Sequence, residues 1–499
     1  MFEVENKSKI VSINNKVVKN QNTIECKLNI SEEDYENILL VEGKTYLVKV
    51  SCLEKEVKYD GVGVFSILYK NGEEIKNLEV GVEYGFKFPC EDILIGTELI
   101  GQVLIKDCKV SMRNGVVFAS GIVTFLGEYI SNKETTFPSN YDGMIIKNSE
   151  GEFSKVISSQ SGEYKIEDEF SLKYSIKNIL CHTEQVKIEK VESGIGACVI
   201  EGEIGLSLVF LVLNEQKIVK ELKSIPFRVE IENKEITSES VVKACVSIID
   251  TSYKVFVDEN KDVSTISVES KICANITAYE KQTFSYIDDL YSLDNEVCAK
   301  KEKVEVLRVL PLEIKNEKIS GEISFTGQEE NKFISSTCEK LVDYDYSILG
   351  DKLTISGVVM AKLLFSGADG GIQCSEVLCP FSHTIDIESN KQVDIKASIC
   401  NFSVEVNKNT LNYQFILQLL VSSFEKSYYY VIIDVENLGQ RKKCESAISV
   451  YIPNENDSLW DICKRLGVSE EYILQTNKEL SFPLSKDERI VIYRELATD

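Results

Sequence analysis

Histidine is almost missing from this chain. The 499 residues hold 2, His182 and His383, far apart in the sequence. That is a poor supply for acid–base chemistry near neutral pH, where histidine is the ordinary proton carrier. Cations are short as well: 56 Lys and Arg stand against 80 Asp and Glu, for a formal charge of −24. Phosphate backbones and anionic lipid surfaces repel such a chain, so nucleic-acid and bilayer binding are not expected. No long apolar run is present. The longest, 206–213, is far too short to span a bilayer, so no integral membrane segment is expected. The amino terminus, Met1-Phe2-Glu3-Val4-Glu5-Asn6-Lys7, lacks the basic-then-apolar order of a secretory signal, so the chain is expected to stay in the cytoplasm of the cell that makes it. No Cys-x-x-Cys pair occurs among the 15 cysteines. Cys374 and Cys379, with His383 nearby, do not complete a metal-binding spacing, so neither a metal nor another cofactor is expected. Most cysteines sit in apolar strand-like runs, as Cys245 and Cys273 do, and read as reduced buried thiols.

What the chain has in plenty is alternation. Leu411, Tyr413, Phe415, Leu417, Leu419 and Val421 share one face of a period-2 pattern; Ile266, Val268, Ile272, Ala274 and Ile276 behave alike. Strands of this kind bury one face and wet the other, and two sheets packed on their apolar faces satisfy them. Three segments repeat one order of events: a glycine, an apolar strand, a proline beside phenylalanine, then a hairpin. The glycines are Gly61, Gly202 and Gly357, and the pairs are Phe88-Pro89, Pro226-Phe227 and Pro380-Phe381. The chain has only 7 prolines, so three at one point of a pattern is informative; lacking a donor, proline fits an edge strand. The closing turns are Asn114-Gly115, the stretch 258–262, and Asn407-Lys408-Asn409. The Ser-, Gly- and charge-rich stretch 149–162 suits a linker, and 287–303 reads as a crossing segment between domains.

After about residue 440 the period changes. Leu459, Ile462, Cys463 and Leu466 fall on one helical face. Asp457 is placed to cap that helix and Gly467 to end it in a left-handed turn; Ser469 starts a second helix and Asn477 stops it. Strands near 448–452 and 489–493 bracket the pair, giving βααβ. The chain's single tryptophan, Trp460, reads as a ring packed partly into this small core.

The segment 447–494 resembles the LysM family through Asp457-Ser458-Leu459-Trp460-Asp461-Ile462, Gly467-Val468-Ser469, Asn477 and Pro483. The resemblance implies a shallow inter-loop groove formed by Asn456, Asp457, Ser458 and Leu459 on one side and Leu480, Ser481, Phe482 and Pro483 on the other. It implies a core that includes Trp460, Ile462, Asn477 and Ile490. Leu459, Leu480 and Phe482 would be its apolar anchors. The thrice-used unit and the connector Asp289-Leu290-Tyr291-Ser292 look like the SPOCS domain of spore-coat proteins. The implied fold is mainly β: tandem β-sandwich-like units over 1–147, 163–292 and 304–440, then a small α+β LysM domain over 447–494. The combination resembles the clostridial type of spore-coat morphogenesis protein. It implies a non-enzymatic scaffold in the mother cell, at the forespore surface, whose partners are the coat's basal morphogenetic ATPase and other coat proteins. The alternative it leaves open is binding to peptidoglycan, a polymer containing N-acetylglucosamine.

Overall fold

The computed structural model describes all residues except 1–6, 73, 96, 98, 214–216, 259–262, 326–331, 368–370, 389–390, 408, 443–446, 455–456, 481–483, 485–487 and 494–499, and the side chains of 7–15, 130–134 and 258. The chain is mainly β, with antiparallel sheets and a small helical part at its carboxy-terminal end.

One strand plan is used three times. In unit one, β2 (Ile38–Leu53), β3 (Glu56–Asn71) and β4 (Glu74–Pro89) form a meander. The hairpin β5 (Leu99–Arg113) and β6 (Val116–Pro138) takes β1 (Lys7–Leu28) on its far side, and a capped turn of helix, α1 (Glu32–Glu36), links β1 to β2. Unit two repeats this with β8 (Ile176–Gly194), β9 (Ala197–Val212) and β10 (Ile218–Glu232) in one sheet. Its second sheet holds β7 (Ile145–Leu172), β12 (Val263–Tyr291) and β11 (Val241–Asp258). Unit three has β15 (Lys332–Leu349), β16 (Lys352–Ser366) and β17 (Ile372–Asp386), facing β18 (Gln392–Val406) and β19 (Thr410–Gln440). Its first strand is split at Pro311 into β13 (Asn295–Val309) and β14 (Glu313–Ser324), both paired to β19. The alternating apolar faces meet inside each unit. Tyr59, Phe65 and Phe125 lie in the first core, Ile204, Phe210 and Ile266 in the second, and Ile355, Leu417 and Phe415 in the third.

The glycine of each repeat has one job. A Cβ on Gly357 would stand 2.6 Å from the Asp343 carbonyl of the neighbouring strand and 2.9 Å from the Phe381 ring. Gly202 is crowded in the same way by the Lys187 carbonyl and the Phe227 ring, and Gly61 by the Tyr46 carbonyl and the Tyr84 ring. The ladder to the preceding strand shifts register beside each of them. An aromatic ring from the edge strand thus lies over a glycine that a bulged neighbour also approaches closely. In units two and three that ring follows the proline, and Pro226 and Pro380 sit within edge strands. In unit one the expected equivalence fails. Tyr84 takes the ring's place opposite Gly61, while Phe88-Pro89 ends β4 opposite Val57 and Glu56.

Two further expectations are overturned. The stretch 149–162 is no linker: it lies inside β7, where its small and charged residues take backbone partners from β12. Of 287–303, the first residues finish β12 and 295–303 begin β13, with a short turn between. Among the hairpin turns, Asn114 (φ 52°) and Gly115 (φ 74°) both adopt the left-handed region. Residues 259–262 and Lys408 lie outside the described residues.

The units close into a ring. The outer strand of each meander packs on the first meander strand of the next: β4 on β8, β10 on β15, and β17 back on β2. Edges that would otherwise invite pairing with other chains are covered in this way. Beyond the sandwiches, 145–156 stays paired with 279–291, and 295–309 with 424–440. These ribbons converge on one aromatic cluster, in which Phe137, Phe153, Phe284, Tyr429 and Val431 bring all three units together.

Candidate functional site

The tail is built as β20 (Ile448–Tyr451), α2 (Leu459–Leu466), α3 (Glu470–Thr476) and β21 (Ile490–Tyr493), with β20 and β21 antiparallel. Ile462, Cys463, Ile473, Leu484, Ile490 and Ile492 are its buried core. The helix cap is Ser458 and not Asp457. The Ser458 hydroxyl accepts from the Asp461 amide at 3.2 Å, and the Asp461 carboxylate accepts from the Ser458 amide at 3.1 Å, a reciprocal capping box. Asp457 is instead turned toward the loop before it, accepting from the Tyr451 hydroxyl at 2.7 Å and the Asn454 amide at 2.9 Å. These bonds, the Asn454 amide foremost, hold its carboxyl below the usual carboxylate range. Gly467 ends α2 at φ 65°, and Ser469 caps α3. Asn477 ends α3 and ties it to the closing strand: its amide donates to the Val491 carbonyl at 2.9 Å, and its oxygen accepts from the Val491 amide at 2.7 Å.

Of the loop residues singled out for a groove, Asn456, Ser481, Phe482 and Pro483 lie outside the described residues. Leu459 and Leu480 are half-buried and pack on the module's own core, and Ser458 is engaged in the cap.

Trp460 has a partner that lies outside the tail. Its ring meets Tyr291 of β12 edge-on at 5.0 Å, and its indole nitrogen donates to Asp289 Oδ2 at 2.8 Å. Lys464 pairs with the other oxygen of Asp289 at 2.5 Å. Burial alone would raise the Asp289 carboxyl; the hydrogen bonds from Lys464 and Trp460 outweigh it and hold the group below the usual carboxylate range. The Tyr291 hydroxyl donates to the Val468 carbonyl at 2.9 Å. Arg441 completes the seam, donating to the carbonyls of Ser292 at 3.0 Å, Asn295 at 3.2 Å and Lys464 at 3.0 Å. The connector Asp289–Ser292 was legible as a motif, but its role as the seat of the tail was not. Lys464 and Arg441 gave no sequence signal beyond being two cations in an acidic chain.

Elsewhere the titratable groups cluster at the ring's seams. Lys44 of β2 reaches Glu184 of β8 at 2.9 Å, Glu184 also holds His182 and accepts from Tyr253 at 2.7 Å, and His182 Nε2 meets Glu79 of β4 at 3.3 Å. Burial works against His182 carrying charge; Glu184 and the hydrogen bonds to Glu184 and Glu79 overcome it and push the ring up to about 9. At the next seam Lys220 of β10 pairs with Glu339 of β15 at 2.5 Å. His383 pairs with Glu317 at 3.2 Å on a half-buried surface. These are joints between packed strands. Among the described residues no group of three or more His, Cys, Asp or Glu is placed to hold a metal ion, and no helix is long and apolar enough to cross a membrane. The chain matches no family model, and neither a curated protein nor a solved structure matches it.

Proposed function

We propose that this chain is a non-enzymatic scaffold of endospore coat assembly. In this reading the ring of three β units is a SPOCS-type trunk and the βααβ tail a LysM-type module. The tail docks a coat morphogenetic protein, the basal ATPase, at the forespore surface. The observation that carries the reading is the fastening of Trp460. The only tryptophan of the chain is held between Tyr291 and Asp289 of the trunk. A ring so engaged is not free to stack on a sugar, which favours a protein partner over peptidoglycan. A tail fixed by a charge pair, an aromatic contact and four hydrogen bonds to backbone carbonyls also presents its loops in a set direction, as an adaptor requires and a tethered sugar-binding module does not.

The test uses the full chain and a version ending at Gln440. Each is mixed with the coat's basal ATPase and, separately, with insoluble peptidoglycan. The reading expects the ATPase to co-purify with the full chain alone, and neither form to pellet with peptidoglycan. Pelleting of the full chain together with failure to retain the ATPase would establish glycan binding instead.

A further inference from the structure

Where the three meanders meet about the ring's axis, Leu40 and Leu68 of unit one, Leu180, Cys181 and Val209 of unit two, and Cys338 and Leu364 of unit three form one buried cluster. Cys181 is 2% exposed and Cys338 0%. Cys338 sits at φ 56°, inside the stretch where β15 slips register against β16 between Thr337 and Lys340. A non-glycine residue held in that region is strained and marks a place where the surrounding structure dictates the backbone. The Cys338 thiol donates to Glu42 Oε2 of β2 at 2.9 Å, and Cys181 of β8 is buried in the same cluster. One carboxylate and two buried thiols, one from each unit, therefore share this junction.

Glu42 also lines a chamber of about 640 Å³ that lies between the three units. Thr183 lines the same chamber, and its hydroxyl is buried without a partner. A small polar molecule entering the chamber thus meets the Glu42 carboxyl group to which the Cys338 thiol donates.

We propose that Cys181 and Cys338 are a dithiol that a small peroxide converts to a disulfide, stapling unit two to unit three at the axis. Glu42 takes the Cys338 proton, and the thiolate sulfur attacks one peroxide oxygen. The O–O bond breaks; Cys338 becomes a sulfenic acid and, with the proton returned, the other oxygen leaves as water. Cys181 then attacks the sulfenic sulfur, the S–S bond forms, and the second oxygen leaves as water with the last proton. Two thiols are oxidised by two electrons, and one hydrogen peroxide is reduced to two waters. Burial, with Cys181 and Glu42 adding to it, holds the Cys338 thiol well above the ordinary range, so thiolate is scarce and the reaction gains speed as pH rises. The staple would close a loop of well over a hundred residues, the length at which a cross-link most restricts the unfolded chain.

The experiment treats the folded full chain with hydrogen peroxide at neutral and alkaline pH, then maps its peptides without reduction. The exposed thiol of Cys298 reports the effective dose. The expected result is a peptide pair joined through Cys181 and Cys338, formed faster at the higher pH. A urea midpoint that rises on oxidation and returns with a thiol reductant is expected with it. Cys374→Ser should leave the link intact, because Cys374 packs on the same cluster but is not the proposed partner. Two results would overturn the proposal: Cys181 and Cys338 both remaining free to alkylation after unfolding, at a dose that has oxidised Cys298, or Cys181 joined to Cys374. Mapping the unmodified protein decides between these outcomes even if Cys338→Ser fails to fold.

Discussion

His182 shows that only part of a residue's situation is written beside it. Burial and Lys44, 138 positions away, oppose its charge; Glu184, two positions on, is the main group favouring it, and Glu79 supports it from 103 positions away. The consequence is a pH dependence with two limbs. The imidazole titrates at 6.5 when unfolded and at about 9 when folded, so its contribution is complete below 6.5 and is lost as pH rises through about 9. Burial would raise Glu184, but Lys44 and His182 prevail and depress it from 4.5, so its contribution is complete above 4.5 and fades as pH falls below that value. Resistance to urea is therefore expected to fall from pH 6.5 to 9 and again in acid. In His182→Gln the alkaline limb should flatten while the acid limb remains. Urea midpoints across this range, for both proteins, measure it; an unchanged alkaline slope in the variant would show that His182 is not its source.

At the scale of the element, local chemistry was legible and pairing was not. Period-2 alternation marks the strands, and Gly467, Ser469 and Asn477 bound the tail helices where their backbone preferences place them. Three errors share one cause, which is that sequence composition does not reveal the partner. The stretch 149–162 is rich in Ser, Gly and charge and so resembles a linker, but it pairs along β12. Tyr84 was passed over for Phe88 because the proline was followed and not the ring; the ring is what the glycine requires. Asp457 and Ser458 are both good caps, and the Asp461 carboxylate, reachable only from Ser458, decides between them. Three predictions belong here. Gly357→Ala should cost about 1–3 kcal/mol in denaturant unfolding, the usual range for overpacking, because its Cβ would stand 2.6 Å from the Asp343 carbonyl and 2.9 Å from the Phe381 ring. Gly81→Ala, whose Cβ would find its nearest atom at 4.0 Å, should change stability by less than about 1 kcal/mol. Ser458→Ala should weaken α2 by about 1 kcal/mol, seen as faster amide hydrogen exchange in that helix with the trunk strands unaffected.

For the whole molecule, the question is what makes a trunk of three units and a tail of about fifty residues behave as one body. The ring answers for the trunk: three seams of like geometry are closed by unlike chemistry, an ionic cluster at Lys44–Glu184, a pair at Lys220–Glu339, and a thiol-to-carboxylate contact at Cys338–Glu42. The tail depends on a much smaller joint. Asp289 is central to it, since one carboxylate accepts from both Trp460 and Lys464. Removing it leaves an indole donor and an ammonium without their acceptor in a half-buried place, and a group so stranded costs more than the bond was worth. Tyr291 still meets the tryptophan edge-on, its hydroxyl still holds the Val468 carbonyl, and Arg441 still holds that of Lys464. Asp289→Ala should therefore loosen the joint around Trp460 without unfolding either part. Because Trp460 is the only tryptophan, its fluorescence reads the joint alone. The variant should emit at longer wavelength and be quenched more strongly by acrylamide, while its circular dichroism and the urea midpoint of the trunk stay near those of the parent. On the proposed scaffold reading, capture of the basal ATPase should also weaken in this variant, since a loosened tail must be ordered again on binding. Fluorescence that shifts while capture is unchanged would separate the joint from the proposed docking and leave the tail acting alone.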